Sequence, residues 1–502
     1  MGGKAFASGR NPLYTPRMAL AVYEHVKKQC TSALKTLFPR AETPIEAPEK
    51  ASFGDVDIFV SFEGSNLSRG TFTSPSAWTP IQTALQGVRS NYEARADSER
   101  KRVINAMSFA IPWPTDLSAG ERAAQMLVEA SLPAATVANR DSLREDGDVG
   151  GAGDGPKDRY IQVDVRVCDS DQELDWRLFK HHHGDLWNML GQIIRPVGLT
   201  ADDTSLSIRI PEIEMENKKG CRVFLTSSPT ETLDFLGLSH QNGEWERPFK
   251  SVEELFKYAA SCRWYAPAPW PGDKKAARDS DHAQKLDPGD RARMAQRPLF
   301  ARWVNEPTPP GRGQGRSPTP APDPKDNSKD KSRGPASLRD EVRLQAFRAF
   351  PGSETAYAAT LAAWRREKVR IYVKAKVIRE DMCLPADVSH VLPAPQEGAS
   401  VADIERNWRG VIHSALAKIV INDDEGFGGI VPPRLRDDQG VLVVEDVKDW
   451  INRNWEEVGR VAWEIYLANA RASMEAKSKL AEEEAAAAAD EGKAADNNAN
   501  NA

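Results

Sequence analysis

The chain has 502 residues, 40% of them hydrophobic, with 67 basic against 73 acidic side chains and a net charge of -6. That length is a prior of about three domains, with enough apolar material for a sizeable core diluted by polar tracts. The balance excludes a globally basic nucleic-acid coat but leaves room for a local basic patch. Five scattered cysteines (Cys30, Cys168, Cys221, Cys262, Cys383) form no CxxC pair. This argues against a zinc ribbon or a disulfide scaffold and for a reducing compartment. No apolar run approaches the roughly 18 residues of a membrane span, and the N-terminus has no apolar core of a secretory signal. Phe6 stands where a myristoylation start would need Ser or Thr. An intracellular protein, cytoplasmic or nuclear, with no membrane partner is expected; the oligomeric state is not legible.

In chain order, residues 19–38 predict a helix, with Leu20, Val22, Tyr23, Val26, Cys30, Leu34 and Leu37 mostly at three- and four-residue steps and Pro39 as the stop. Residues 53–62 predict a strand, with Val56, Ile58 and Val60 on one face and Asp55, Asp57 and Phe59 on the other. A short helix over 76–88 and a strand over 102–112 follow. Residues 140–158 read as a disordered loop, Gly-rich at its end. Then Ile161, Val163, Val165 and Val167 alternate with Gln162, Asp164 and Arg166, which predicts another strand. A helix over 185–195, a hairpin of 206–210 with 221–226, and capped helices over 230–236 and 251–261 complete a domain over 1–266. Residues 267–335 are rich in Pro, Gly, Ser and charge and read as a linker or long insertion. Helices over 338–350, 355–379, 401–421 and 445–480 make a helical domain over 336–480. The remaining 481–502, an acidic Ala/Asn tail, is expected to fray into disorder.

The chemistry centres on Gly54-Asp55-Val56-Asp57 and on Asp164. Strand residues two apart share a face, and two neighbouring acids repel unless a cation lies between them. Mg²⁺ or Mn²⁺ would take such oxygen ligands, and a third carboxylate on an adjoining strand would complete a two-metal site. The competing explanation is a solvated sheet face, where acids are common.

Residues 53–59 (FGDVDIF) resemble the acid-pair strand of the DNA polymerase β-like nucleotidyltransferase superfamily, and 162–165 (QVDV) its third-acid strand. Further stretches are similar to uncharacterised nucleotidyltransferase-like proteins of fungi and large phages: 2–5 (GGKA), 15–17 (TPR), Lys50, 183–191 (HGDLWNMLG), 223–226 (VFLT), 235–238 (FLGL), Phe249 and 254–256 (ELF). The resemblance covers about residues 1 to 265. It implies an α+β fold, a polymerase β-like mixed sheet with helices, followed by a mainly α-helical domain. It also implies Mg²⁺-dependent transfer of a nucleoside monophosphate from an NTP to a hydroxyl acceptor, whether RNA, protein or small molecule. Asp55, Asp57 and Asp164 would be the catalytic and metal-binding acids. A Gly-Gly turn would hold the triphosphate, its amides free to approach closely. Here Gly2-Gly3 lies far upstream of Asp55 with a helix between, so either the start of the chain is a divergent arrangement, or residues 46–50 replace the turn, or the terminus is simply flexible. Gly2, Gly3, Lys4, Arg17, Lys50 and Gly54 are the candidate nucleotide-binding residues; solvated cations are the alternative for Lys4, Arg17 and Lys50. Asn188 and Arg195 are candidate substrate contacts, with core support as the alternative. A catalytically inactive nucleotide- or nucleic-acid-binding module on the same fold is the other expectation.

Three adjacent histidines, His181, His182 and His183, cannot all face one ion on a regular element, and a polar loop capping the next helix is expected there. Asp169, Asp171, Glu173 and Asp175 read as a solvated turn. Arg366, Arg370 and Lys374, at four-residue steps, form a basic stripe that could track a phosphate backbone or simply face solvent.

Overall fold

The structure is a computed structural model that describes residues 3–8, 11–67, 72–92, 104–131, 159–265, 288–305, 335–380, 384–394 and 400–499. The expected loop over 140–158 lies outside them, as do Gly2 and Cys383. The chain divides between Glu354 and Thr355 into two units.

In the first unit, α1 (Leu20–Leu34) buries Val22, Tyr23, Val26, Cys30 and Leu34 on one face. The elements β1 (Ala41–Glu42), β2 (Asp55–Ser61), α2 (Thr79–Ala84), β3 (Arg89–Asn91), β4 (Ala106–Pro112), α3 (Ala119–Ser131) and β5 (Tyr160–Cys168) follow. The five strands form a mixed sheet in the order β1-β2-β5-β4-β3. Only β2 and β5 run parallel. One sheet face is the core: Val56, Ile58, Val60, Met107, Phe109, Val163 and Val165 pack with α1, Phe53 and Trp78. The parallel pair is apolar on this side, as a buried strand pair must be.

The helix α4 (Asp171–His181) covers part of the opposite face, where Phe59 and Cys168 pack with Leu174 and Leu178. The acidic run expected as a solvated turn is therefore the first half of a helix. Ser170 accepts the Glu173 amide, and the Glu173 carboxylate reaches back to the Asp169 amide (2.7 Å). That reciprocal cap, together with acids at the positive end of the helix dipole, explains why so charged a run turns helical.

The chain continues through α5 (Leu186–Ile194), β6 (Leu199–Ala201), β7 (Leu206–Arg209), α6 (Pro211–Glu214), β8 (Arg222–Thr226), α7 (Pro229–Leu236) and α8 (Val252–Ala260). β6, β7 and β8 form a small antiparallel sheet. Inside the tract expected as a linker, α9 (Pro288–Gln296) and α10 (Pro298–Asn305) fold. Phe300 and Trp303 are buried, with Trp303 edge-on to Phe256 at 5.3 Å. α11 (Pro335–Ala349) also belongs to this unit rather than to the helical domain. Arg339 bonds Glu214 (2.6 Å) and Phe350 meets the Phe235 ring at 5.0 Å.

α12 (Ser353–Tyr372) begins at the division and leads into a π-helical turn over Val373–Ile378. α13 (Val401–Asn422) and α14 (Val444–Ala499) complete the second unit. The helix therefore runs on through 481–499, where the composition suggested a disordered tail. Val373, Val377 and Ile378 pack with Trp408, Ile412 and Leu416 of α13 and with Val447, Ile451 and Trp455 of α14. Gly459 lets the two long helices close: a Cβ there would meet the Trp408 indole at 2.4 Å. No helix among the described residues is long and apolar enough to cross a membrane.

Candidate functional site

The part of the sheet's second face that α4 leaves uncovered is polar. Register places Asp57, Asp164, Ser108 and Asn91 in one row across β2, β5, β4 and β3. Asp55, Gln162, Ala110 and Arg89 form the next row. Paired Cα atoms on one side of a sheet put side chains about 5 Å apart, so Asp55, Asp57 and Asp164 are neighbours. All three are half-buried. β4 contributes the small residues Ala106, Ser108 and Ala110 to this face, with Pro112 at its end.

Burial raises the affinity of all three carboxyls for protons. Asp57 is pushed up to about 7, by burial first, then by Asp55 and Asp164. Asp164 is also raised by burial, which outweighs hydrogen bonds from Ser108 and Gln162. Lys50 opposes the rise at Asp55. Arg166, two residues beyond Asp164 on the same face, acts against the rise at Asp57 and Asp164. Its Nε is buried without a hydrogen-bond partner. Arg166 and Gln162 are further members of this face. The alternation that placed Asp164 on the polar side places them there too.

The N-terminal segment lies across this face. Gly3 has φ +84°, and a Cβ on it would meet the Gly54 carbonyl oxygen at 2.5 Å. Only glycine tolerates both the conformation and the approach. The Gly3 amide donates to the Asp55 carboxylate, and its carbonyl accepts from Thr15 Oγ1 (2.9 Å). The Ala5 amide donates to Gln162 Oε1 (2.9 Å), and Asn91 Nδ2 donates to the Ala5 carbonyl (2.9 Å). Gly3 thus reaches Asp55 despite the intervening helix, and the segment around it is tied down.

The other candidate cations are placed differently. Lys4 is exposed. Lys50 Nζ binds Glu46 Oε2 (2.6 Å) and lies 4.7 Å from the Phe53 ring centroid; Glu46 in turn accepts from Tyr23 Oη (2.8 Å). Arg17 holds Ser52 through its side-chain and carbonyl oxygens (2.7 and 2.6 Å). It braces the segment entering β2 rather than pointing a free guanidinium at the acids.

Asn188 and Arg195 are not on the acid face. They line a cavity of about 230 Å³ with Lys180, His181, Trp187 and Arg297. Arg195 Nη2 donates to both Asp290 oxygens (2.7 Å each), and Arg297 Nη1 donates to Asp185 Oδ1 (2.7 Å). Lys180 lies 4.1 Å from the Trp187 ring centroid, and burial pushes it down to about 8. His181 borders the cavity and feels Arg166 from the acid side, so the two regions adjoin. The histidine run is structural: Ile45 donates to His182 Nδ1 (2.9 Å), and His183 Nε2 bonds the Trp245 carbonyl (2.7 Å). Burial lowers them to about 4, 3 and 4, neutral near pH 7.

Three carboxylates on one sheet face are the donor type that hard divalent cations take. Among the described residues, however, no three His, Cys, Asp or Glu side chains close into a ligand cage. Gln162 Nε2 instead spans both Asp164 oxygens at 3.0 Å. The fit to Mg²⁺ or Mn²⁺ is therefore one of donor chemistry and register. Compared with known proteins, the chain matches no family and no curated protein.

Proposed function

We propose that the acid face of β2 and β5 is a nucleotidyl-transfer site, and that the first unit folds as a polymerase β-like nucleotidyltransferase. The observation that carries this reading is the register: Asp57 opposite Asp164, Asp55 on the same side, and the Gly3 turn against Asp55. Asp55, Asp57 and Asp164 would hold Mg²⁺ or Mn²⁺, which supplies charge neutralisation on the phosphates and lowers the pKa of an acceptor hydroxyl. The rest falls to the chain's own groups. The Gly3 turn and Arg166 meet triphosphate oxygens; Arg166 suits this because its guanidinium already compensates the acids. The acceptor oxygen forms a bond to the α-phosphorus, the α–β bridging bond breaks, pyrophosphate leaves, and the acceptor's proton passes to a carboxylate of the cluster. Positioning and electrostatics supply the catalysis.

One observation favours a second reading, nucleotide binding without transfer: the Gln162 amide that caps Asp164. A single experiment separates the two. Purified protein is incubated with each α-labelled NTP, Mg²⁺ or Mn²⁺, and total RNA, beside Asp55→Ala/Asp57→Ala. Transfer by the wild type alone, expected here, establishes the enzyme. An NTP-dependent thermal shift without transfer supports binding alone. Neither transfer nor shift sinks both readings.

A further inference from the structure

The second unit carries a groove of about 510 Å³ that the acid site does not explain. Arg370, Lys374 and Arg379 form one wall and His413 and Lys418 the other, above a floor that includes Ile378 and Ile421. Among the described residues, no carboxylate lines it. Ser414 and Asn422 add further donors, so every polar side chain in the lining can donate a hydrogen bond and none is an obligate acceptor. Among the described residues, Lys374, Arg379 and Lys418 have no ion-pair partner; Arg370 has Glu367 (2.7 Å).

A local irregularity builds this wall. In a regular α-helix, residues five apart point about 140° away from each other. Over Val373–Ile378 the helix widens to a π turn, with the Arg379 amide bonded to the Lys374 carbonyl (3.2 Å). The wider turn brings Lys374 and Arg379 onto one side, while Val373, Val377 and Ile378 stay buried. Such turns are rare and concentrate at functional sites. On the facing helix, nothing lies within 4 Å of where a Cβ on Gly410 would sit, which leaves the groove open there.

We propose that this groove binds a single-stranded nucleic acid through its phosphate backbone. The cations from Arg370 to Arg379 spread over about 13 Å of helix, too long for one phosphate and suited to several in succession. For the backbone N–H donors of an acidic peptide the groove's side-chain acceptors are confined to Ser414, Asn422 and a neutral His413, whereas its four cations match a run of phosphates. Among the described residues the lining includes no Phe, Tyr or Trp, and His413 is its one ring, so binding is chiefly to the backbone and tolerant of sequence. The proposal does not rest on nucleotidyl transfer by the first unit.

The test is fluorescence anisotropy of the full chain with a labelled 20-nucleotide RNA and the same sequence as DNA, from 50 to 200 mM KCl. Four engaged cations predict a slope of log K against log salt of about −3, alike for RNA and DNA. Lys374→Ser/Arg379→Ser/Lys418→Ser is expected to lower affinity at 50 mM at least tenfold and to cut the slope to about −0.7. Gly410→Glu adds a carboxylate to the groove at a position where Glu is a better helix former than Gly; it is expected to weaken binding severalfold with the fold intact by circular dichroism. Absence of binding at 50 mM or indifference to both groove variants overturns the proposal. So does displacement by polyglutamate as readily as by RNA, which would assign the groove to acidic peptides.

Discussion

Asp57 faces Asp164 across the strand pair and Asp55 along its own strand, so neutralising it relieves two repulsions together with a desolvation cost. Its pKa rises to about 7 in the fold, against an ordinary value of 3.8. The folded state therefore holds a proton that the unfolded chain has lost, and stability drains away as pH rises from about 4 through 7. Asp57→Asn keeps the shape and removes that loss. It is expected to melt several degrees above the wild type at pH 8, for a gain of about 2 kcal/mol, with no gain at pH 4, and to have no transfer activity. Thermal melts of both proteins at the two pH values check this; equal melting points at pH 8 would contradict the electrostatic account. The three acids were legible because strand alternation fixes a face without knowledge of the partner strand. Gln162 and Arg166 obey the same alternation and could be read from it. Ser108 and Asn91 could not, since their place beside Asp164 depends on the register of β4 and β3.

Among the elements, glycines on the two facing helices of the second unit make a matched pair for testing packing against propensity. At Gly410 a methyl meets nothing within 4 Å, whereas at Gly459 it lands 2.4 Å from the Trp408 indole. Ala is favoured over Gly inside a helix by about 1 kcal/mol. Gly410→Ala is therefore expected to stabilise by roughly that amount, while Gly459→Ala destabilises by about 1–3 kcal/mol because the interface must open. Urea denaturation of the full chain, followed through tryptophan fluorescence, gives both signs. The helices themselves were legible wherever apolar spacing was regular, as in α1, α13 and the first half of α14. α4 was missed because four acids in seven residues look like a solvated turn, although Ser170 and Glu173 already spelled a reciprocal cap. α10 was missed because Phe300 and Trp303 are two anchors in a tract otherwise dominated by proline, glycine and charge.

At the scale of the whole molecule, the mixed sheet and a helical C-terminal region agree with the order of elements expected from the sequence, while the boundary does not. Residues 288–305 and 335–354 belong with the first unit, and what assigns them is long-range contact, such as Arg195 to Asp290 and Arg339 to Glu214, which local composition does not encode. The parallel pairing of β2 with β5 has a consequence in time. The two strands lie more than a hundred residues apart in the chain, and closing so long a loop precedes any reward from the contacts it makes. During synthesis β2 emerges early, apolar on one side and lacking the neighbour that will occupy its edge. A nascent chain halted before Tyr160 is thus expected to be sticky, and fragments ending there should partition into the pellet on expression while those extended through Cys168 gain solubility. The strand that completes the acid face would then double as the chain's own protection against premature association.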